Sequence, residues 1–110
     1  MTIVNLTPHA VIVRQPDGSD LSLPPDGTIA RVAATEVLTG AVIAGVDVAR
    51  RTFGDVTGLP DPTPGVVFVV SSLVLTAVSG RPDVVAPDTG PTAIRSPDGR
   101  ILAVTRFVTA

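Results

Sequence analysis

Six side chains carry the chemistry this sequence can offer. Ser71, Ser72, Arg81 and Asp83 form a compact set within thirteen residues, with His9 and Arg31 as outliers. If a helix begins at the serine pair, its free N–H groups and the two hydroxyls would attract an anion. The planar guanidinium of Arg81 suits a phosphate or carboxylate, and Asp83 could accept from a ribose hydroxyl or a base edge. The competing reading is local: a serine that only caps the helix, and an Arg81–Asp83 ion pair worth about 0–1 kcal/mol if exposed.

Composition removes most catalytic alternatives. There is no Cys, hence no disulfide, thiolate metal site or thiol nucleophile. All eight basic residues are Arg, and without Lys neither Schiff-base chemistry nor a Walker-type phosphate loop is available. His9 stands alone as a general base, and no Gly-x-Ser-x-Gly elbow accompanies the serines. The ten acidic residues are scattered without ligand spacing, so no metal or other cofactor is expected. A net charge of −2, no basic run beyond Arg50-Arg51 and only three aromatics disfavour nucleic acid as a partner. No apolar run approaches the roughly 20 residues that span a bilayer, and the first residues lack a basic signal region. The expectation is a non-enzymatic, cytoplasmic protein.

The elements that must position these residues read as mostly strand. The 110 residues fit one domain, and an apolar fraction of 45% with three Phe demands an aliphatic, Val-rich core. Thr2–Val4 and Ala10–Arg14 read as strand pieces around a bend at Asn5-Leu6-Thr7-Pro8-His9, where Asn5 and Thr7 can bond nearby backbone. Pro-Asp-Gly occurs at residues 16–18, 25–27 and 97–99, which predicts three hairpin-like reversals. Leu21–Leu23 and Thr28–Ala33 read as short strands. Between Glu36 and Val48 the apolar residues fit no single period, and Gly40 suggests two short strands around it. Arg50–Pro64 reads as a long loop.

Val66–Val70 is apolar at every position, which predicts a strand covered on both faces and central in its sheet. A short helix after Ser71 or Ser72 is favoured, with Leu73, Val74, Ala77 and Val78 on one face and Gly80 and Pro82 ending it. A second strand over Ser72–Ser79 is the alternative. Val84–Ala86 and Thr92–Ile94 are extended, and Ile101–Val108 is the closing strand. The fold class is α+β, mostly β: a small antiparallel or mixed sheet, partly barrel-like, with one short helix after the central strand.

Asn5-Leu6-Thr7-Pro8-His9, Gly58-Leu59-Pro60 and the run from Val70-Ser71 to Arg81-Pro82-Asp83-Val84 and Pro87 resemble a family of small uncharacterised phage and prophage proteins. Pro25-Asp26-Gly27 followed by Ala30-Arg31-Val32 fits the same pattern, where the family tends to have Pro-Ser-Gly. The resemblance implies a phage-related setting in the host cytoplasm, and marks His9, Arg31, Ser71, Arg81 and Asp83. Two functions follow as expectations. The first is binding of a small anionic, nucleotide-like ligand, such as a host defence signal to be sequestered. The second is a structural module that self-associates as a homo-oligomer or joins a phage assembly.

Overall fold

The fold is built on two residues of opposite character at the end of the first strand. A computed structural model describes residues 1–78 and 80–110. Strand β1 (Thr2–Asn5) lies parallel to β6 (Val66–Val69), and β6 lies parallel to β7 (Val84–Pro87). Strand β10 (Phe107–Val108) adds antiparallel to β7, giving the order β1-β6-β7-β10. Parallel neighbours need a crossover connection. Here it carries α1 (Ser72–Ala77), so the favoured helix is present and the strand alternative fails. Ser79, the last residue of that alternative, lies outside the described residues.

Both faces of this sheet are covered, as the unbroken apolar run predicts. Side chains two apart point the same way. Phe68 and Val70 join Val84 and Ala86 in a cluster with Leu6, Ala30, Val74 and Leu75 on the helix side. Val69 faces the other way, into a second cluster with Val13, Leu23 and Val104. The covering layer there is the hairpin of β2 (Val11–Arg14) and β3 (Asp20–Leu23), together with β9 (Ile101–Ala103). Strand β9 pairs with β8 (Ile94–Arg95) across the Pro97-Asp98-Gly99 turn.

Strands β4 (Arg31–Ile43) and β5 (Val46–Thr57) form one long antiparallel hairpin. Only its base touches the body, where Val32 and Val56 pack against the helix-side core. The rest projects as an arm. The radius of gyration is 16.5 Å, against roughly 13 Å for a compact chain of this length. At about 3.3 Å per residue the arm is roughly 40 Å long, within a molecule 51 Å in its longest dimension.

This arm corrects two expectations. Glu36–Val48 is not two short strands around Gly40: Gly40, at φ 82°, sits in a register shift between Leu38 and Val42, and the chain reverses at Ala44 and Gly45. Both turn residues have positive φ (51° and 80°), as a tight two-residue hairpin turn requires. Arg50–Pro64 is not a loop throughout, since its first half completes β5. Gly58 closes β5 at φ 78°, and a Cβ there would meet the Ile29 carbonyl oxygen at 2.5 Å, so this position must stay bare.

Three smaller expectations also change. Pro25-Asp26-Gly27 makes no hairpin, because the Asp26 N–H is taken by the Asn5 carbonyl at 2.8 Å. The closing strand is broken: Ile101–Ala103 and Phe107–Val108 pair with different partners. On the helix, Val74 and Leu75 are buried while Leu73 is exposed, and the helix ends at Ala77, before Gly80. The fold is mostly β with one short helix, as expected, and among the described residues its four sheets form no closed barrel.

Asn5, the last residue of β1, is buried like its neighbour Leu6. Its Nδ2 donates to the carbonyls of Leu23 (2.8 Å) and His9 (2.9 Å). Its Oδ1 accepts from the Thr7 N–H (3.0 Å) and the Thr7 hydroxyl (2.7 Å). Replacing it by alanine leaves buried partners unpaired, each at about 1–3 kcal/mol. Asn5→Ala should therefore lower stability by about 2–4 kcal/mol in urea unfolding, and a loss under about 1 kcal/mol would show that water replaces the amide.

Candidate functional site

The six residues singled out by chemistry do not converge. They divide among three surface regions, two of which lie at opposite ends of α1.

At the start of the helix, Ser71 is the cap. Its backbone is extended (φ −68°, ψ 159°) and its Oγ accepts from the Val74 N–H at 3.3 Å. The hydroxyl thus satisfies one orphan donor of the first turn. Ser72 is exposed, and its carbonyl accepts from the Thr76 hydroxyl at 2.9 Å. Arg31, the first residue of β4, is exposed and makes no ion pair among the described residues. Arg31 and Ser71 line one shallow cavity of about 300 Å³ together with Pro8 and Leu73.

Beyond the other end of the helix, Arg81 and Asp83 hold each other. Arg81 Nε donates to one carboxylate oxygen of Asp83 at 3.1 Å and Nη2 to the other at 2.7 Å. Both side chains are about four-fifths buried, at 21% and 18% exposure. The Arg81 hydrogen bond holds the Asp83 carboxyl below its usual range, and the same bond raises the Arg81 guanidinium. A fork whose two arms already grip a carboxylate is a poor anchor for a second anion. The Asp83 carbonyl meanwhile accepts from the Phe68 N–H at 2.8 Å, tying this turn to the central strand. The local ion-pair reading fits this geometry. Arg81 also borders an open depression of about 450 Å³ against Asp55, Val56 and Leu59 at the arm base.

His9 is in neither place. Its carbonyl accepts from the Asn5 amide, so its backbone secures the bend. Its exposed side chain borders a third cavity of about 460 Å³, walled by Val11 and Ile12 of β2 and by Ile101 and Leu102 of β9. This apolar groove escaped sequence reasoning, because its walls come from strands ninety residues apart. The arm escaped it as well. Val37, Leu38, Val42, Ile43 and Val46 are 59–68% exposed on it.

No three His, Cys, Asp or Glu residues cluster at metal-binding distance among the described residues. No described helix is long and apolar enough to cross a membrane.

Acid titration tests the ion pair. A carboxylate whose pKa is lowered by folding contributes stability that is present at neutral pH and is lost as pH falls through the folded value. Asp83 is such a group, as are Asp17, Asp88 and Asp98. The melting temperature should therefore fall as pH drops below about 4, the ordinary carboxylate range. Arg81→Ala should make that decline shallower by removing the share of Asp83, and parallel curves for the two proteins would refute the assignment. Comparison with family models, curated proteins and solved structures finds no match to this chain, so its residues are assigned on their own geometry.

Proposed function

We propose that the chain is a non-enzymatic, self-associating interaction module whose projecting arm is covered by a second copy. The exposed apolar surface of the arm carries this reading. Both edges of the hairpin are unpaired among the described residues, and its apolar side chains lie on both faces. By the pairing register, Leu38, Ala49 and Phe53 share one face, while Val37 and Val48 lie on the other. A lone two-stranded ribbon is at best marginally stable in water. A long, exposed, apolar edge is also a template for further pairing.

The charges of the arm agree with an identical partner. Arg31, Arg50 and Arg51 balance Glu36, Asp47 and Asp55 between residues 31 and 57. Glu36 and Arg51 pair within the arm at 2.7 Å. A neutral, mostly apolar surface loses little on meeting its own copy, whereas a strongly charged one would repel it.

Magnitudes decide how many arms are needed. Fully burying a Val, Leu or Ile is worth about 1.5–3 kcal/mol, so the exposed portions of Val37, Leu38, Val42, Ile43 and Val46 are worth roughly 5–9 kcal/mol per arm. Association costs roughly 4–15 kcal/mol in lost freedom. One arm covers only the lower part of that cost, whereas two reciprocal arms, at roughly 10–18 kcal/mol, cover most of it. Light scattering should find an oligomer at micromolar concentration. A chain in which an Asn-Gly turn replaces residues 37–50 should be monomeric and still unfold cooperatively. A full-length monomer at a hundredfold higher concentration would sink the proposal.

A second reading has one observation in its favour. Arg31 has no ion partner among the described residues and shares a cavity with Ser71, which suits a small anionic, nucleotide-like ligand. The family resemblance would make this a phage accessory protein that sequesters a host defence signal in the cytoplasm. Mass spectrometry of small molecules co-purifying with the native protein should then return an anion that Arg31→Ala loses at unchanged melting temperature. A co-purified anion retained equally by the variant, or none at all, would remove this reading.

A further inference from the structure

We infer that the apolar groove between β2 and β9 is the receiving site for the arm tip of a second copy, in a reciprocal twofold exchange. This inference rests on the self-association reading and names the surface that meets the arm.

The groove has a structural cause. Strands β2 and β9 belong to different hairpins and meet at one bridge, Val13 to Val104. Two backbone bonds close that point, Arg14 N–H to the Val104 carbonyl (2.8 Å) and Val104 N–H to the Ile12 carbonyl (2.9 Å). Back from it, toward Val11 and Ile101, no backbone bond links the strands among the described residues. The gap they leave is the cavity of about 460 Å³, with Pro87 at its side. Leu102 on its rim is 51% exposed and Ile101 37%. These are the body's own exposed apolar strand residues, apart from Val108 at the chain end.

The arm tip offers apolar groups and a charge that suit the groove and its surroundings. Ile43 and Val46 face each other across the turn, 68% and 65% exposed, and present branched aliphatic groups at the end of a narrow ribbon. Asp47 is the one charged residue between residues 37 and 49. The β8–β9 hairpin beside the groove carries Arg95 and Arg100 against Asp98. Asp47 and Arg100 have no ion partner among the described residues. Among the described residues the arm packs on its own body at its base, through α1 and the helix-side core. The groove lies on the opposite side of the central sheet, with Val13 and Val104 of the second cluster. The tip is therefore free to enter another molecule.

Area favours reciprocity. With its base packed on its own body, roughly 30 Å of the ribbon is free, and at about 10 Å wide it presents about 300 Å² per face. Laid along a second body with its tip in the groove it buries about 600 Å² counting both partners, the size of a crystal contact. The twofold exchange doubles this to about 1,200 Å², the lower end of specific interfaces. A symmetric pair also closes, whereas a one-way chain of tips and grooves would polymerise.

The natural absence of Cys makes cross-linking unambiguous. Chains carrying Val46→Cys and chains carrying Leu102→Cys, co-expressed and mildly oxidised, should yield a disulfide between positions 46 and 102. It should exceed the 46–46 and 102–102 products by at least tenfold in peptide mapping. Leu102→Asp, a change at an exposed position, should weaken dimerisation at least tenfold in sedimentation without altering the circular dichroism. An intact dimer with Leu102→Asp, or dominant 46–46 linkage, would overturn the groove while leaving self-association standing. A chain that sediments as a monomer throughout would overturn both.

Discussion

The buried amide of Asn5 is the interaction on which the body depends. An asparagine side chain has two donor and two acceptor sites, and all four are used here. Its donors hold the end of β3 at Leu23 and the far side of the bend at His9, while its acceptor fixes Thr7 between them. The backbone of the same two residues extends the knot. The Asn5 carbonyl accepts from Asp26, the Leu6 N–H donates to Val69, and the Leu6 carbonyl accepts from Ala30. One dipeptide thereby joins β1, the central strand, the β2–β3 hairpin and the approach to the arm. Leu6 itself then drops into the helix-side core. A polar network at this depth is favourable only when complete, and no buried side-chain polar atom is left unpartnered among the described residues.

That knot explains which features could be read from the sequence. The central strand was legible because burial of Phe68, Val69 and Val70, with Val66 and Val67 half-buried, favours an apolar residue on both faces of the run. The cap was legible because a serine after such a strand has a local hydrogen bond to make. The bend at Asn5 was legible only in its local half. The Thr7 contacts follow from side-chain chemistry two residues apart, but the bond to Leu23 spans eighteen residues and leaves no local trace. The second Pro-Asp-Gly misled for the same reason: its Asp26 N–H is claimed by Asn5, a partner no turn rule includes.

The candidate site was legible as a set of residue types but not as a place. Arg81 and Asp83 were read both as ligand groups and as a local pair. Their two-residue spacing permits the bidentate contact that now occupies both. Arg31 and Ser71 share a cavity because β4 begins beside the start of α1, a juxtaposition set by packing. The arm was obscured by its own chemistry. With apolar groups on both faces it shows neither the alternation of a half-buried strand nor a helical period. Ala44-Gly45 is a weaker turn signal than Asn-Gly.

The two parts of the molecule stand in different energetic positions. In the body, each face of the central sheet has its covering layer and each buried side-chain polar atom its partner. The arm has the composition of a buried strand pair without the burial. Its defences against indiscriminate pairing are few: the Glu36–Arg51 pair, Arg50 and Asp47 on the strands, and the Gly40 irregularity that interrupts the edge. Those features suffice to break a continuous, flat template, which limits open-ended edge pairing. They leave Val37, Leu38, Val42, Ile43 and Val46 exposed. By the register, Glu36 and Arg51 share the face of Leu38, Ala49 and Phe53, and Arg50 that of Val37, so each face mixes apolar groups with a few charges.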